Sequence, residues 1–480
     1  MNFTEKERID ELPENEDQNK ELNGLETAVN NRLIREDLEE SGKLTISVAH
    51  LYENKQLQEL VDVPNIKLLR DHKVHKSSIT CLVVSSDGKY LISGSKDGGI
   101  VLWGMELGHS ITEEPKQIEQ NTEDSTKCPS IMKLARVVGG RKGCEDKHKG
   151  HCSAVNCIAI STDSKFVASG DDSNLIMIWN IKVKDSTQSL QLSYDLDRIH
   201  VFRGHRSPVS GLAFRIGSHT LYSCAHDRSV KVWNLDEMGY VETLFGHQDK
   251  ITGIDAGIRE RVLTSGGRDG TVRIWKIVEE SQLVYNAPTV AYENKGENSR
   301  TSGVVGSASV DSIRLLDEQH FITCGEDGHL SLWNVNRKKP VCTIPRAHGS
   351  DPTNNDPRWI SAIATQHNTD LIVSASCDGV VRLWKCTEKF RSLVEIAAIP
   401  IDSYLKSVKS ENSSVESWTS GFVNSVCVHP TGKALIIGIG QEHRLGRWWR
   451  FKDARNGILI VPFSFNKDTN TLEMSNENIT

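Results

Sequence analysis

Several things that this 480-residue chain lacks narrow what it can do. No run of 18 apolar residues occurs, which excludes a membrane-spanning helix. The first thirty residues hold no basic stretch followed by an apolar core, so no secretory signal is expected. There is no CxxC pair, no Cys/His cluster with zinc spacing and no acidic cluster with metal-like spacing. P-loop, GxSxG and HExxH motifs are absent, and GGRKG at 139–143 is too short for a phosphate cradle and lacks its Ser/Thr. A non-enzymatic protein is therefore expected, with no metal, no cofactor, no small-molecule substrate and no membrane partner. The eleven cysteines are odd in number. Cys81, Cys157, Cys224, Cys324 and Cys427 stand in apolar, strand-like runs, where a thiol acts as a small hydrophobe. Reduced cysteines in an intracellular protein are expected.

Charge is unevenly spread. Residues 1–64 carry 16 acidic and 7 basic side chains, a balance of −9, whereas the remainder has 48 acidic and 50 basic, a balance of +2. The body is near neutral, so contact with nucleic acid has to come from local patches.

What the chain does have is a repeat. Tryptophans at 103, 179, 233, 275, 333, 384 and 448 end similar segments, among them GSKDGGIVLW, CAHDRSVKVW and GGRDGTVRIW, spaced by 76, 54, 42, 58, 51 and 64 residues. The shortest spacing fits a four-stranded blade of roughly 40–45 residues, and the excess reads as insertions. Each segment alternates apolar and polar residues, as a half-buried strand does.

Six residues before the Trp stands Asp97, Asp227, Asp269, Asp327 or Asp378, with Ser173 and Glu442 in the second and seventh repeats. Four residues before that stands a hydroxyl: Ser93, Ser169, Ser223, Ser265, Thr323 or Ser374. Twenty-two residues before the Asp position stands His75, His151, His205 or His247. These types at this spacing predict a relay in which the turn Asp orients the His, the His reaches a buried hydroxyl, and the hydroxyl reaches the indole of the Trp. The complete sets are His75, Ser93, Asp97 and Trp103; His205, Ser223, Asp227 and Trp233; and His247, Ser265, Asp269 and Trp275. Each buried polar group left unpaired costs about 1–3 kcal/mol, so the members are needed together. The fifth repeat has Val305 at the His position and the sixth has His348 displaced by an insertion, so both read as imperfect relays. Recurrence with a Trp marks these sets as structural and not as hydrolase triads.

The pattern resembles the WD40 family, and by that resemblance the fold is all-β, a seven-bladed β-propeller over 65–465. Residues 1–24 read as a disordered acidic terminus and 466–480 as a disordered tail. Between them, 25–64 carries apolar residues at helical spacing (Leu25, Val29, Leu33, Leu38), which predicts a short amphipathic helical arm, either packed on the propeller or docking a partner. Polar insertions are expected at 104–149, 280–303, 348–358 and 402–420. The first contains Arg141, Lys142, Lys147 and Lys149, a solvated loop or a weak import or RNA-contacting patch. Ile66–Leu69 and Gly457–Phe463 compete to supply the outer strand that closes the ring.

Function in such a scaffold lies in its loops, chiefly on the face bearing the Asp turns. Arg206, Arg228 and Arg268 collect there on the third and fourth blades, near His226. The densest basic and aromatic stretch is 441–455, QEHRLGRWWRFKDAR. Either Trp448 is simply the blade Trp of the seventh repeat, or the stretch forms an RNA-binding surface reading backbone and shape.

Whole segments are more specific than a generic repeat. FRGHRSPVSGLAFRIGSHTLYSCAHDRSVKVWN (202–234), GGRDGTVRIWKIVEESQLV (266–284) and GIGQEHRLGRWWRFKDARNGILIVPF (438–463) resemble the propeller subunit of the U3 small nucleolar ribonucleoprotein. That resemblance spans roughly residues 30–465. It implies an RNA-binding scaffold subunit of this box C/D particle, seated on the box B/C region of U3 snoRNA and acting in pre-rRNA processing and small ribosomal subunit biogenesis. Its implied partners are U3 snoRNA, the small kink-turn-binding box C/D protein and other small-subunit processome proteins, in the nucleus and nucleolus. Carried over by position, His443, Arg444, Arg447 and Arg450 are the expected RNA contacts, with Arg206, Arg228 and Arg268 second. One departure is the arm: family members tend to have a long basic N-terminal extension for import, whereas this arm is short and acidic, leaving 139–149, co-import with partners or an arm missing from this sequence. The competing reading is a protein-only adaptor, such as a ubiquitin-ligase substrate receptor, which needs no basic-aromatic patch at 441–455.

Overall fold

The computed structural model describes residues 47–53, 60–69, 75–106, 130–140, 150–184, 193–288, 309–351, 355–387, 390–407, 421–446 and 448–463. They form seven four-stranded antiparallel sheets. The first blade runs Ile79–Val84, Tyr90–Ser95, Ile100–Glu106 and Ser130–Val137. The next five occupy 155–203, 209–245, 253–286, 312–344 and 360–400 in the same order. The seventh orders Phe422–Val428, Ala434–Gly440, Gly457–Pro462 and, outermost, Lys67–Leu69. Innermost strands of successive blades touch, and those of blades 7 and 1 also touch, so the sheets form a closed ring.

Alternation explains where the core sits. Each strand has two faces, so each blade packs against both neighbours. Ile92 and Leu102 of blade 1 meet Val155 and Trp179 of blade 2 in one buried cluster. On the other side, Trp103 and Leu91 meet Ile436, Ile458 and Ile460 of blade 7. Burying such a side chain contributes roughly 1.5–3 kcal/mol, so the interfaces between blades hold the ring.

A second device stitches the interfaces. Innermost strands carry a bulge near their start in blades 1, 2, 3, 6 and 7. The polar side chain at this point donates to a backbone carbonyl of the next blade. Thr80 reaches Val155 O at 2.5 Å, Asn156 reaches Val209 O at 3.1 Å, and Ser210 reaches Ile251 O at 2.6 Å. Thr252, from the corresponding place in blade 4, reaches Val310 O at 2.7 Å. Ser361 reaches Val423 O at 2.5 Å, and Asn424 closes the circle on Ile79 O at 2.9 Å. The equivalent position in blade 5 is Asp311.

The two candidates for ring closure are both used. Gly457–Pro462 is the third strand of blade 7, and Lys67–Leu69 pairs with it as the fourth, Leu68 opposite Leu459. The N-terminal segment ahead of it is clasped to the face opposite the Asp turns. Asp370 accepts the backbone N–H groups of Val48 and Ala49 and the Ser47 hydroxyl, and Tyr52 donates to Gly432 O at 2.5 Å. The described part of 25–64 contains 3-10 turns at Ala49–Leu51 and Val63–Asn65, which does not support an amphipathic helical arm there. Residues 1–24, most of that arm and the 466–480 tail lie outside the described residues.

Two of the expected insertions contain a strand of their blade. Ser130–Val137 and Ser281–Asn286 are fourth strands of blades 1 and 4, so 104–149 and 280–303 each include a blade strand. Ile401–Ser407, at the start of 402–420, is a short helix. Arg141, Lys142, Lys147 and Lys149 lie outside the described residues.

Candidate nucleic-acid interface

The relays come first, because they fix the turn face on which any partner would sit. Blade 3 follows the prediction: His205 Nδ1 lies 3.0 Å from Asp227 Oδ2, its Nε2 lies 2.7 Å from Ser223 Oγ, and Trp233 Nε1 donates to that hydroxyl at 2.8 Å. In blade 1 His75 Nε2 and Trp103 Nε1 meet at Ser93, at 2.8 and 2.9 Å, while Asp97 accepts the Lys76 backbone N–H at 2.9 Å.

Three other blades use different residues from those expected, and a fourth completes a relay that read as imperfect. In blade 4 the hydroxyl is Thr264 and not Ser265: His247 and Trp275 reach it at 2.8 and 2.9 Å. Gly267, with φ +46° in the left-handed region, accommodates one extra residue before Asp269, so counting back four lands one residue late. In blade 2 the acid is Asp171, not the position of Ser173. Asp171 faces His151 at 2.9 Å and accepts the backbone N–H groups of Ser173 and Leu175. In blade 6 the relay is complete, since His348 lies 3.0 Å from Asp378 and 2.8 Å from Ser374, which also caps Trp384. The preceding insertion lengthens the loop without moving the ring. In blade 5 the Asp327 partner is His329, two residues further along the same turn, and Trp333 donates to Thr323 at 2.9 Å.

Blade 7 has no such Trp. Its second strand ends at Gly440 and its third begins at Gly457, so 441–456 is the connection between them and Trp448 is not a blade residue. Trp448 is 66% exposed and Trp449 44% exposed, and Glu442 does not serve as a relay acid. Glu442 instead makes an isolated bridge with Arg450 and approaches Lys96 at 3.6 Å.

This connection is tied down at its base and open at its tip. Lys96 Nζ donates to His443 O at 2.5 Å and Gly446 O at 3.0 Å. Asn424, besides closing the ring, donates to Glu442 O and accepts the Arg444 backbone N–H, both at 2.9 Å. Gln441 Nε2 donates to Ala454 O at 2.6 Å, and the Phe451 N–H returns to Gln441 O at 3.0 Å. A side chain at Gly446 would strike the ring of Trp448, which therefore lies across the glycine.

The four first-choice contact residues separate here. His443 is 2% exposed, packed against Trp359 at 4.3 Å and Phe422 at 5.7 Å. Burial, aided by the charges of Arg444 and Lys96, depresses its pKa to about 3, so it is neutral. Since Nδ1 accepts the Leu445 N–H, its proton is on Nε2, which has no hydrogen-bond partner among the described residues. Arg444 is partly exposed as a residue, but its Nε is buried. Burial lowers its pKa, and its charge acts on Cys81 of blade 1 and on Asp311 and Cys324 of blade 5. Arg447 lies outside the described residues. Of those described, Arg450 is the one on the open surface, its side chain 57% exposed, with Nη2 donating to Gln441 Oε1 at 3.1 Å. Beside it stand Leu445, Trp448 and Trp449, exposed, together with Lys452.

Arg206, Arg228 and Arg268 are all exposed on the same face but on blades 3 and 4, across the ring from blade 7. His226, between them, is held below its usual range by burial and by Lys250. The buried thiols are pushed up by desolvation, Cys81 and Cys427 to about 12, and so are unreactive. No group of three His, Cys, Asp or Glu that could hold a metal occurs among the described residues.

Against known proteins, the model described as "WD domain, G-beta repeat" matches residues 66–104, 142–180, 196–234, 239–276 and 341–385. Blade 7 beyond its outer strand and most of blade 5 are unmatched: one has no relay, and in the other the turn Asp meets a His of its own turn. U3 small nucleolar RNA-interacting protein 2 of Homo sapiens is 40% identical over 457 residues, spanning 95% of this chain and 79% of that protein. Ribosomal RNA-processing protein 9 of Saccharomyces cerevisiae is 26% identical over 80% of this chain and 72% of its own length. A solved structure described as that of U3-55K aligns with a TM-score of 0.63 at 41% identity, covering 84% of this chain and 99% of the other.

Proposed function

The chain belongs to the family of U3 small nucleolar RNA-interacting protein 2, and from that membership we propose that it is a non-enzymatic scaffold subunit of the U3 particle, acting in ribosomal RNA processing in the nucleolus. Within this reading it binds U3 snoRNA, at the box B/C region, together with the small kink-turn-binding protein and other processome proteins. The observation that carries the RNA contact is the tip of the blade 7 connection. There Trp448 and Trp449 offer stacking faces and Arg450 and Lys452 offer charge, on a base held by Lys96, Asn424 and Gln441. Exposed aromatics beside cations suit unpaired bases and backbone phosphates, and a rigid platform avoids the entropy of ordering a loop on binding.

His443 and Arg444 enter as the root of that platform, and Arg450, Trp448 and Trp449 as its contact residues. Arg206, Arg228 and Arg268 are a separate, second patch. The test is ultraviolet crosslinking of the tagged protein in cells with sequencing of the attached RNA, comparing the parent with Trp448→Ala/Trp449→Ala/Arg450→Ala. Enrichment at one internal site of U3 snoRNA, lost in the variant, is expected. A crosslink map at background for the parent would remove the RNA reading and favour the protein-only adaptor.

A further inference from the structure

The outermost strand of each blade is an edge, whose outward N–H and C=O groups invite a further strand unless something discourages it. The outer strands of blades 1, 2, 3 and 6 are long, and a bulge interrupts the pairing of each with its third strand. Each also carries charge: Lys133 and Arg136, Asp195 and Asp197, Glu242, and Glu395 with Pro400 at the end. Blades 5 and 7 have outer strands of only three residues, Cys342–Ile344 and Lys67–Leu69. Bulges, charges and shortness all blunt an edge. Blade 4 has none of these devices. Its outer strand Ser281–Asn286, SQLVYN, is uncharged and six residues long, and all six pair with Thr271–Lys276 without a register shift.

The Ala287 N–H donates to Gly270 O at 2.7 Å, which sets the alternation along this strand. Ser281, Leu283 and Tyr285 bond inward to the third strand, and Gln282, Val284 and Asn286 turn their N–H and C=O groups outward. Those three residues are exposed, Val284 at 40% and its neighbour Leu283 at 37%. A cationic turn stands alongside. The Tyr285 hydroxyl donates to Val335 O of blade 5 at 2.6 Å, which holds that turn against the strand. The turn continues into Arg337, Lys338 and Lys339, all exposed and without an ion-pair partner among the described residues. Of the two acids just before the strand, Glu279 is held by Lys276 at 2.6 Å, so the local balance is positive. We propose that blade 4 docks an extended segment of a protein partner, which adds a fifth strand along Ser281–Asn286 and carries acidic residues toward Arg337, Lys338 and Lys339. Outward N–H and C=O groups alternating at strand spacing match another polypeptide backbone and not a nucleic acid. The three cations select its charge, and Leu283 and Val284, on opposite faces, take its aliphatic side chains. The proposal stands apart from the 441–452 platform and holds whether or not that platform binds RNA.

Val284→Pro is the discriminating variant, because it removes an outward N–H and no bond to the third strand. Val284→Lys charges the same edge without touching the backbone, and guards against local unfolding in the proline variant. The third variant is Arg337→Glu/Lys338→Glu/Lys339→Glu, and thermal melting checks that each variant folds. Random peptides of about twelve residues displayed on phage are selected on the purified full chain, with the three variants as counter-targets. The enriched peptides should alternate aliphatic residues with Asp or Glu, and each variant should bind them at least about tenfold more weakly. Amide hydrogen exchange supplies the second readout. The Gln282, Val284 and Asn286 amides should exchange freely in the free chain and become protected when a selected peptide is added. No enrichment over the Val284→Pro and Val284→Lys targets, or enriched peptides that lack acidic residues, would overturn the proposal. Amides already protected in the free chain would overturn it too. Protection at every concentration would mean that another segment of this chain covers the edge, and protection that grows with concentration would mean that a second copy does.

Discussion

Blades 3 and 7 solve one problem in opposite ways. In blade 3 the second and third strands are joined by a tight turn, and the turn acid Asp227 is spent inward on His205, Ser229 and the Arg206 N–H. The result is a capped Trp233 and an outer surface with few fixed features. In blade 7 the same junction is opened into 441–456, the relay is absent, and its polar groups brace a projecting loop. The third strand GILIVP, buried throughout, replaces the capped tryptophan with aliphatic packing, and the N-terminal strand completes the sheet. Rigidity is thus supplied by six repeating blades, which frees one blade to carry a distinctive surface.

Removing a relay acid should test that division most severely. Asp171→Ala leaves the His151 Nδ1–H and the Ser173 and Leu175 N–H groups without their acceptor in a fully buried site, and should cost about 3 kcal/mol or more. The corresponding change in the seventh repeat, Glu442→Ala, removes two long ion pairs, to Lys96 at 3.6 Å and to Arg450 at 3.9 Å, and should cost less, about 1 kcal/mol. Urea midpoints of the two variants measure the contrast, and equal losses would mean that blade 7 does depend on its acid. Thr264→Val should fall between, at about 2 kcal/mol, since it strands both His247 and Trp275.

Those residues also show what the sequence could carry. Period, blade number and the type of each relay member were legible because strand alternation and the Trp recur. Membership was not, where it depends on distance and not on count. Gly267 adds a residue without displacing the strands, shifting the hydroxyl from Ser265 to Thr264. Asp171 does at the end of its strand what the turn acid does elsewhere, and His348 arrives through a longer loop. In 441–455 the sequence marked a basic and aromatic stretch but left open whether Trp448 was a blade residue, and it could not sort buried from exposed cations. Arg444 and Arg450 look alike in a string, and only burial separates them.

Acid should split the two regions in a defined order. Burial raises the Asp227 carboxyl, but bonds from His205, Ser229 and the Arg206 N–H outweigh it and hold it below 3.8, and Asp269 is held down likewise by His247 and Thr271. Their contribution is complete above pH 3.8 and drains as pH falls toward their folded values. His443, neutral with a pKa near 3 while buried and 6.5 when released, begins to favour release below pH 6.5, by up to about 1.4 kcal/mol per pH unit. The charges acting on His443 are those of Arg444 and Lys96. Hydrogen exchange, corrected for its intrinsic pH dependence, should therefore show 441–452 loosening between pH 7 and 5 while the blade 3 and 4 strands stay closed. Simultaneous loosening would erase the distinction between the regions.

The smallest effect concerns how far across the face the contact extends. Arg228 and Arg268 are exposed, and the left-handed backbone at Arg228, φ +65°, projects from the blade 3 turn. If RNA lies only on the blade 7 platform, Arg228→Ala and Arg268→Ala change nothing; if it crosses the ring mouth, each loses one phosphate contact. Such a contact contributes about 0.7 to the slope of log affinity against log salt for single-stranded RNA. We expect each variant to reduce that slope by about this amount and to weaken binding of a U3 box B/C fragment severalfold, whereas Trp448→Ala lowers affinity with the slope intact, because stacking releases no counterions. A slope unmoved by either arginine would confine the interface to blade 7 and make the seventh blade sufficient for what the other six support.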